Sequence, residues 1–436
     1  MREPSGSMAC STLRGRWEEV SKVAEQGQGK TILLVGAFDT KGEEYAFVKR
    51  LIEARGHRVL TMNTGVMAAA THLSPDIDAA AVATAGGESL PVLRQRDDRG
   101  WAMTVMSKGA AAVARDLYAQ GQFNGILGMG GTGGTSVVSA AMRSLPVGLP
   151  KVLVSTVASG DTRSFLGTRD IVLIPSVVDV AGINRISRLV FAEAAGAICG
   201  MIEMAANAPA NAAEDRPVIA VSMFGNTTQC VDRCREQLSA RGFEVLVFHC
   251  TGTGGLTMEH LVEDGLVTAV LDITTTEWAD ELCGGVFSAG PTRLEAPGKK
   301  GVPHLIVPGC VDMVNFGPRE TMPEQYRDRQ LYVWNPSVTL MRTTPEENAQ
   351  MGKIFAEKAN KAQGPVAFLL PLKGVSILDS EGNEFWSPEA DRRMFATLKR
   401  NVRPGIPIED MDANINDPAF ADRSVEMIIQ MIEKEQ

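Results

Sequence analysis

Short continuous runs of apolar residues alternate along this chain with longer stretches in which apolar positions recur every three or four residues. Residues 32–35 read ILLV; Tyr45, Val48, Leu51 and Ile52 then fall at helical spacing, and a second apolar run begins at Val59. Continuous runs bounded by turn residues predict strands buried on both faces, and the 3.6-residue period predicts amphipathic helices. Strand, helix and strand in that order form a βαβ unit, whose crossover makes the two strands parallel. Within this first unit Thr40 and Glu43 have the spacing of a capping box, and Gly56 predicts a left-handed stop at the helix end.

The pattern occurs twice. Residues 32–64 align without a gap on residues 218–250, placing Phe38 on Phe224, Arg55 and Gly56 on Arg241 and Gly242, and Val59 on Val245. Further on, "GILGMGGTGGTS" followed by "GLPKVLVSTVASGD" parallels "AVLDITTTEWADEL" followed by "GVPHLIVPGCVDMV". The fold class predicted is α/β: two doubly wound, Rossmann-like parallel-sheet domains related by internal duplication, with a cleft between them. The N-terminal domain is expected over residues 30–204, after an extension of residues 1–29. An Ala-, Asn- and Pro-rich linker is expected over 205–217, and the C-terminal domain over 218–436. The C-terminal part departs from strict duplication, with a capped helix after Thr344–Pro345, a buried strand over Val366–Pro371 and a final amphipathic helix in "SVEMIIQMIEKEQ".

A formal charge of −9 over 436 residues repels nucleic acid, so a phosphate-bearing partner must be captured locally. The first 20 residues hold no apolar core of seven or more, so no secretory signal is expected, and no uninterrupted apolar stretch approaches the roughly 20 residues that span a bilayer. A soluble, cytoplasmic protein without nucleic-acid or membrane partners is expected. Seven scattered cysteines fit reduced thiols better than a disulfide framework. Cys230 and Cys234 can share a helix face, but no second pair stands at zinc-ligand spacing.

Candidate chemistry gathers where strands are predicted to end. In residues 125–142 a strand runs through Gly130, Gly131, Thr132, Gly133, Gly134, Thr135 and Ser136 into a helix. Glycine lets a polyphosphate approach the backbone and permits positive φ, so that successive amides point at one anion; the helix dipole adds to the attraction. The hydroxyls of Thr132, Thr135 and Ser136 suit phosphate oxygens or a metal's water shell. The plainer alternative is a tight turn packed on its neighbour. "GQGKT" at 27–31 imitates a Walker loop, but residue 24 is alanine and the tract precedes its strand. Asp39, Thr40 and Lys41 follow the first strand; Ser155, Ser159, Gly160, Asp161 and Thr162 follow another. Lys41 suits a phosphate, and Asp39 and Asp161 suit magnesium held through water, with a helix cap or a turn as the alternative for each carboxylate.

In the second half His249, Glu277 and Asp312, accompanied by Asp272, Thr274, Thr275, Thr276 and Asn315, make a candidate acid/base set. His249 reads equally as a buried, hydrogen-bonded imidazole. Cys250 and Cys310 carry no signal of a depressed thiol pKa, and Arg342 reads either as an anion clamp or as the partner of a neighbouring acid.

The motifs "GAFDTKGEE", "GMGGTGGT", "PKVLVSTVASGDT", "VVDVAGINRIS", "SMFGNTT", "VFHCTGTGG", "DITTTEWADELCGGVFSAGPTRLEA", "PGCVDMVNFG" and "NPSVTLMRTTPEEN" together resemble the uncharacterised protein family 0261, the ATP-binding domain family of the tomato mosaic virus resistance protein. The resemblance covers residues 30–400. It implies two α/β domains, ATP binding with magnesium, homodimerisation and cytoplasmic residence, but supplies no reaction. Thr132 and Cys250 stand where relatives often carry Ser and Ala. The leading expectation is an ATP-binding, small-molecule enzyme with Mg-ATP at the N-terminal glycine corner and substrate in the interdomain cleft. Its alternatives are an ATP-regulated binding module without turnover, and a lyase or hydrolase acting through Glu277, His249 and Asp312.

Overall fold

A computed structural model describes residues 29–207 and 216–435, which fall into two compact units. Residues 1–28 of the expected extension and 208–215 of the expected linker lie outside the described residues. Residues 205–207 belong to the preceding helix, which is described as far as Asn207, so that part of the linker assignment is corrected.

The N-terminal unit is built on five parallel strands: β1 (Thr31–Gly36), β2 (Arg58–Asn63), β3 (Gly125–Gly130), β4 (Lys151–Ser155) and β5 (Val172–Pro175), in the order β2-β1-β3-β4-β5. Its helices are α1 (Phe38–Ala54), α2 (Ala79–Ala85), α3 (Leu90–Arg96), α4 (Arg99–Ala119), α5 (Thr132–Arg143), α6 (Arg163–Leu166) and α7 (Arg185–Asn207). The period-2 alternation within β1 sends Leu33 and Val35 to the face covered by α4 and α5, and Ile32 and Leu34 to the face covered by α1 and α7. That is why these strands read as unbroken apolar runs.

One local expectation changes. Thr40 lies inside α1, which begins at Phe38 with no side-chain cap and kinks at Lys41; the Thr40 hydroxyl reaches only the Ala37 carbonyl, so no Thr40–Glu43 capping box forms. Gly56, at φ +89°, does supply the stop. In α7, Arg185–Ala206 is long and apolar enough to cross a membrane by length and composition alone, with a mean hydropathy of 1.6 over its best window. Arg185, Arg188, Glu193 and Glu203 interrupt the run, so the helix is not the uninterrupted apolar stretch whose absence the sequence predicts. Phe191, Ala194, Ile198 and Ile202 of this helix are buried against the sheet, as in a core helix.

The C-terminal unit repeats the plan. Its main sheet contains β6 (Val218–Met223), β7 (Glu244–His249), β8 (Ala269–Thr274), β9 (His304–Gly309), β13 (Val366–Pro371) and β14 (Ile408–Met411), all parallel. The order is β14-β13-β9-β8-β6-β7. Read from β7, its first five strands follow the same succession as β2-β1-β3-β4-β5. The departure from duplication is an inserted antiparallel sheet, β10 (Met313–Phe316), β11 (Leu331–Asn335) and β12 (Val338–Arg342), in the order β10-β12-β11. One face is covered by α8 (Thr228–Ala240) and α14 (Pro418–Glu433). The other side carries α9 (Thr253–Glu263), α10 (Glu277–Cys283), α11 (Ala296–Lys300), α12 (Pro345–Lys361) and α13 (Pro388–Asn401). Thr344 and Glu347 form the capping box that starts α12, as the Thr-Pro-Glu-Glu spacing predicts.

Candidate functional site

In a sheet ordered β2-β1-β3-β4-β5 the connections reverse direction between β1 and β3, and the crevice outside the carboxyl ends of those strands is where such folds bind ligands. Here the crevice is held by Tyr45 of α1. Its fully buried hydroxyl donates toward the carbonyls of Val35 (2.7 Å) and Met129 (2.6 Å) and accepts from the Met129 amide (2.6 Å). It thus supplies the hydrogen bonds that the β1–β3 ladder lacks beyond the Val35–Gly128 pair. Gly36 is required beside it, since a Cβ there would lie 2.0 Å from the tyrosine ring.

At the edge of this crevice α5 begins. Gly131 is its N-cap at φ −74° and ψ −169°, and no side chain caps the helix. The first helical hydrogen bond runs from the Thr135 amide to the Gly131 carbonyl (2.8 Å), so the amides of Thr132, Gly133 and Gly134 have no acceptor within the helix. Thr132 is exposed and Gly131, Gly133 and Gly134 are half-buried. Within 4 Å, a Cβ on Gly131 would meet only the Thr156 hydroxyl at 3.7 Å, and one on Gly134 only the Met129 carbonyl at 3.5 Å. A Cβ on Gly133 would meet the Met103 side chain at 3.3 Å and the Arg99 guanidinium, at the start of α4, at 3.7 Å. Among the described residues the Arg99 guanidinium makes no hydrogen bond. The turn is open, with a cation beside it.

Four expectations for this corner change. None of Gly130, Gly131, Gly133 and Gly134 has positive φ; the amides are presented by the first turn of α5 rather than by a left-handed nest. Gly130 is buried, and a Cβ there would sit 2.8 Å from Gly134 Cα, so it serves strand-to-helix packing rather than a ligand. The Thr135 hydroxyl is likewise buried, paired with Ser155 at 2.7 Å. Ser136 turns back to the Thr132 carbonyl at 3.0 Å.

The other N-terminal candidates have local partners. Asp39 Oδ2 accepts from the amides of Met67 (2.9 Å) and Ala68 (3.3 Å), while its Oδ1 is buried without a partner. Lys41 donates to the Val180 carbonyl. Asp161 is exposed in a two-point pair with Arg163 (3.0 and 2.7 Å), whose hydrogen bonds hold its carboxyl down at about 2. Ser159 and Gly160 lie exposed on the turn after β4. Among the described residues no three His, Cys, Asp or Glu side chains gather as a metal site. With Asp39 tied to the loop amides and Asp161 to Arg163, this donor set does not fit a protein-held magnesium.

In the C-terminal unit His249, Glu277 and Asp312 are not presented as one open acid/base set. His249 is exposed at the end of β7, stacked on Phe224 at 5.4 Å between ring centroids, so the reading as a buried imidazole is corrected too. Glu277 is 1% exposed: Arg293 bonds one carboxylate oxygen at 2.8 Å, and the amides of Gly252 (2.9 Å) and Gly255 (3.0 Å) bond the other. It therefore fills the glycine-rich start of α9 that an external anion would occupy. Burial pushes its carboxyl above the usual range even so. Arg293, which the sequence reading missed, also grips Asp272 (2.6 and 2.7 Å) and Glu259 (3.3 Å). Thr274, Thr275 and Thr276 are fully buried on internal acceptors.

Asp312 is fully buried on Ser376 (2.8 Å), with its second oxygen unpartnered; burial, and then the neighbouring Asp379, push it up to about 7. Arg342 pairs with Asp379 (3.2 Å) and Asp391 (3.3 Å) and so is not an anion clamp. Asn315 is held by Asp280. Cys250 and Cys310 are buried and their thiols are pushed up by that burial, which removes the conditions for a nucleophile. No periodicity marks Arg293 or the Asp379–Asp391 pair, because their partners are distant in sequence.

Two doubly wound domains, one of them with an open helix start at its switch point, define a Rossmann-like two-domain α/β protein. Residues 30–207 match the N-terminal domain, and residues 216–432 the C-terminal domain, of the uncharacterised protein family UPF0261; the chain belongs to this family. A UPF0261 protein of Clostridium tetani is 48% identical over 406 residues, covering 93% of this chain and all of that protein. The UPF0261 protein RA0729 of Rhizobium meliloti is 44% identical, covering 91% of this chain and 98% of that protein. The ToMV resistance protein Tm-1(GCR237) of Solanum lycopersicum is 37% identical over 94% of this chain, which spans 57% of the tomato protein's length.

Proposed function

We propose that this protein binds ATP at the start of α5, as a cytoplasmic enzyme that uses Mg-ATP on a small molecule. The observation that carries the reading is the uncapped first turn: three unpaired amides, an exposed Thr132 hydroxyl and the Arg99 guanidinium beside Gly133. Unpaired amides at a helix start and a nearby guanidinium are what a phosphate group requires. ATP brings the phosphoryl or adenylyl group; this chain's α5 amides and Arg99 would hold its anionic oxygens and orient them. Magnesium would arrive on the phosphates with much of its water shell, since Asp39 and Asp161 have other partners.

Isothermal titration with Mg-ATP tests the reading. In Gly131→Val the new side chain has room, at an ordinary negative φ, and stands in front of the amides. Affinity is expected to fall at least tenfold with the melting temperature little changed, and Arg99→Ala is expected to weaken binding in the same direction. Unchanged affinity in both variants would remove the assignment. The lyase or hydrolase reading loses support from the burial of Glu277 and Asp312. A regulatory module remains distinguishable from an enzyme by nucleotide turnover with a panel of organic acids and sugars.

A further inference from the structure

The N-terminal unit carries an open depression of about 550 Å³ on its surface, outside the carboxyl end of β2. It is lined by Asn63 at the end of β2, residues 68–70 and 72–75, the start of α2 (Asp78 to Ala80), and Leu90 and Arg94 of α3.

Its wall is anchored from several sides. Asp39 binds the amides of Met67 and Ala68 (2.9 and 3.3 Å), and Arg94 binds the carbonyls of Val66 and Ala68 (2.6 and 3.3 Å). The Phe38 carbonyl accepts from the Thr71 amide at 3.0 Å. His72 is turned into the left-handed region at φ +60°, an uncommon conformation for a non-glycine residue that such anchoring maintains. Asp39, placed by its sequence position among phosphate or metal ligands, thus shapes this cavity through the backbone.

The lining mixes flat apolar surface from Ala80, Leu90 and neighbouring alanines with polar groups at the edge. Asn63 uses its side-chain oxygen on the amides of Phe38 (3.0 Å) and Gly65 (2.9 Å), leaving its NH2 group as a donor. Asp78 caps α2 through one carboxylate oxygen, on the Ala81 amide at 2.8 Å, leaving the other as an acceptor. A flat heterocycle joined to a sugar diol matches that combination.

The cavity and the glycine corner are joined by one piece of chain. Arg94 lines the cavity, and Arg99, five residues on across the α3–α4 turn, lies beside Gly133. The strands below them, β2 and β3, flank β1 and are therefore about 10 Å apart, a separation that a nucleoside polyphosphate bridges and a lone phosphate does not. We infer that this cavity takes the nucleoside end of a nucleotide whose phosphates rest on the first turn of α5. The inference rests on the reading of that turn given above and adds the half of the ligand that the turn does not touch.

Titration of the full chain with ATP, adenosine and inorganic tripolyphosphate tests it. Ala80→Trp and Ala69→Trp fill the cavity from two sides, at positions exposed enough to leave the fold intact. Each is expected to lower ATP affinity at least tenfold, to abolish adenosine binding and to leave tripolyphosphate affinity within twofold; Gly131→Val is expected to weaken tripolyphosphate. If ATP and tripolyphosphate bind the native chain and both cavity variants bind ATP with native affinity, the nucleoside assignment is overturned while the phosphate site stands. If neither ligand binds the native chain, the phosphate reading fails and takes this inference with it.

Discussion

Tyr45 shows what a single residue contributes that its sequence context conceals. In the chain it is one apolar position of an amphipathic helix; in the fold its hydroxyl serves three backbone groups of β1 and β3. Tyr45→Phe leaves those buried groups short of partners and is expected to cost about 1–3 kcal/mol in urea unfolding. Asp312 presents the converse case, a carboxyl legible as chemistry and buried as structure. Burial pushes it up to about 7, whereas in the unfolded chain it titrates near 3.9. Between about pH 4 and 7 the native state keeps a proton that the unfolded state has lost, so this group's contribution to stability falls as pH rises. Asp312→Asn is expected to flatten the stability–pH profile over that window by up to about 1.4 kcal/mol per pH unit; a profile parallel to the native one would count against the assignment. The Thr135 hydroxyl was also misread, because nothing local reveals that Ser155 lies against it.

At the scale of elements, two glycine-rich helix starts look alike in sequence and differ in the fold. The start of α5 is open, while that of α9 is filled by Glu277, which lies 22 residues beyond Gly255 and is held by Arg293. A Cβ on Gly255 would meet the Glu277 carboxylate at 1.9 Å, so those glycines admit an internal anion, not a ligand. Local pattern predicts the helix, the loop and the small residues; it says nothing about which distant carboxylate arrives. Because Arg293 is buried among Asp272, Glu277 and Glu259, Arg293→Met strands three carboxylates. It is expected to destabilise the C-terminal unit by about 3–5 kcal/mol, measured as a shift in its unfolding midpoint. The strands, the α12 capping box and the helix stops at Gly56 and at its counterpart Gly242 (φ +90°) were legible because each is a short-range consequence of residue type.

Across the whole molecule, the internal echo in sequence corresponds to a shared strand succession in the two sheets, and the inserted sheet β10-β12-β11 marks where the copies diverge. Duplication was readable because it repeats a complete βαβ pattern over 33 aligned positions, residues 32–64 on 218–250. Chemical specialisation was not, since the halves keep their topology while closing one glycine-rich start and leaving another open. The most direct measurement is a crystal of the full chain soaked with a non-hydrolysable ATP analogue and magnesium. We expect phosphate oxygens within hydrogen-bond reach of the Thr132, Gly133 and Gly134 amides and of Arg99. A bound analogue whose phosphates lie elsewhere, with the first turn of α5 untouched, would contradict the account.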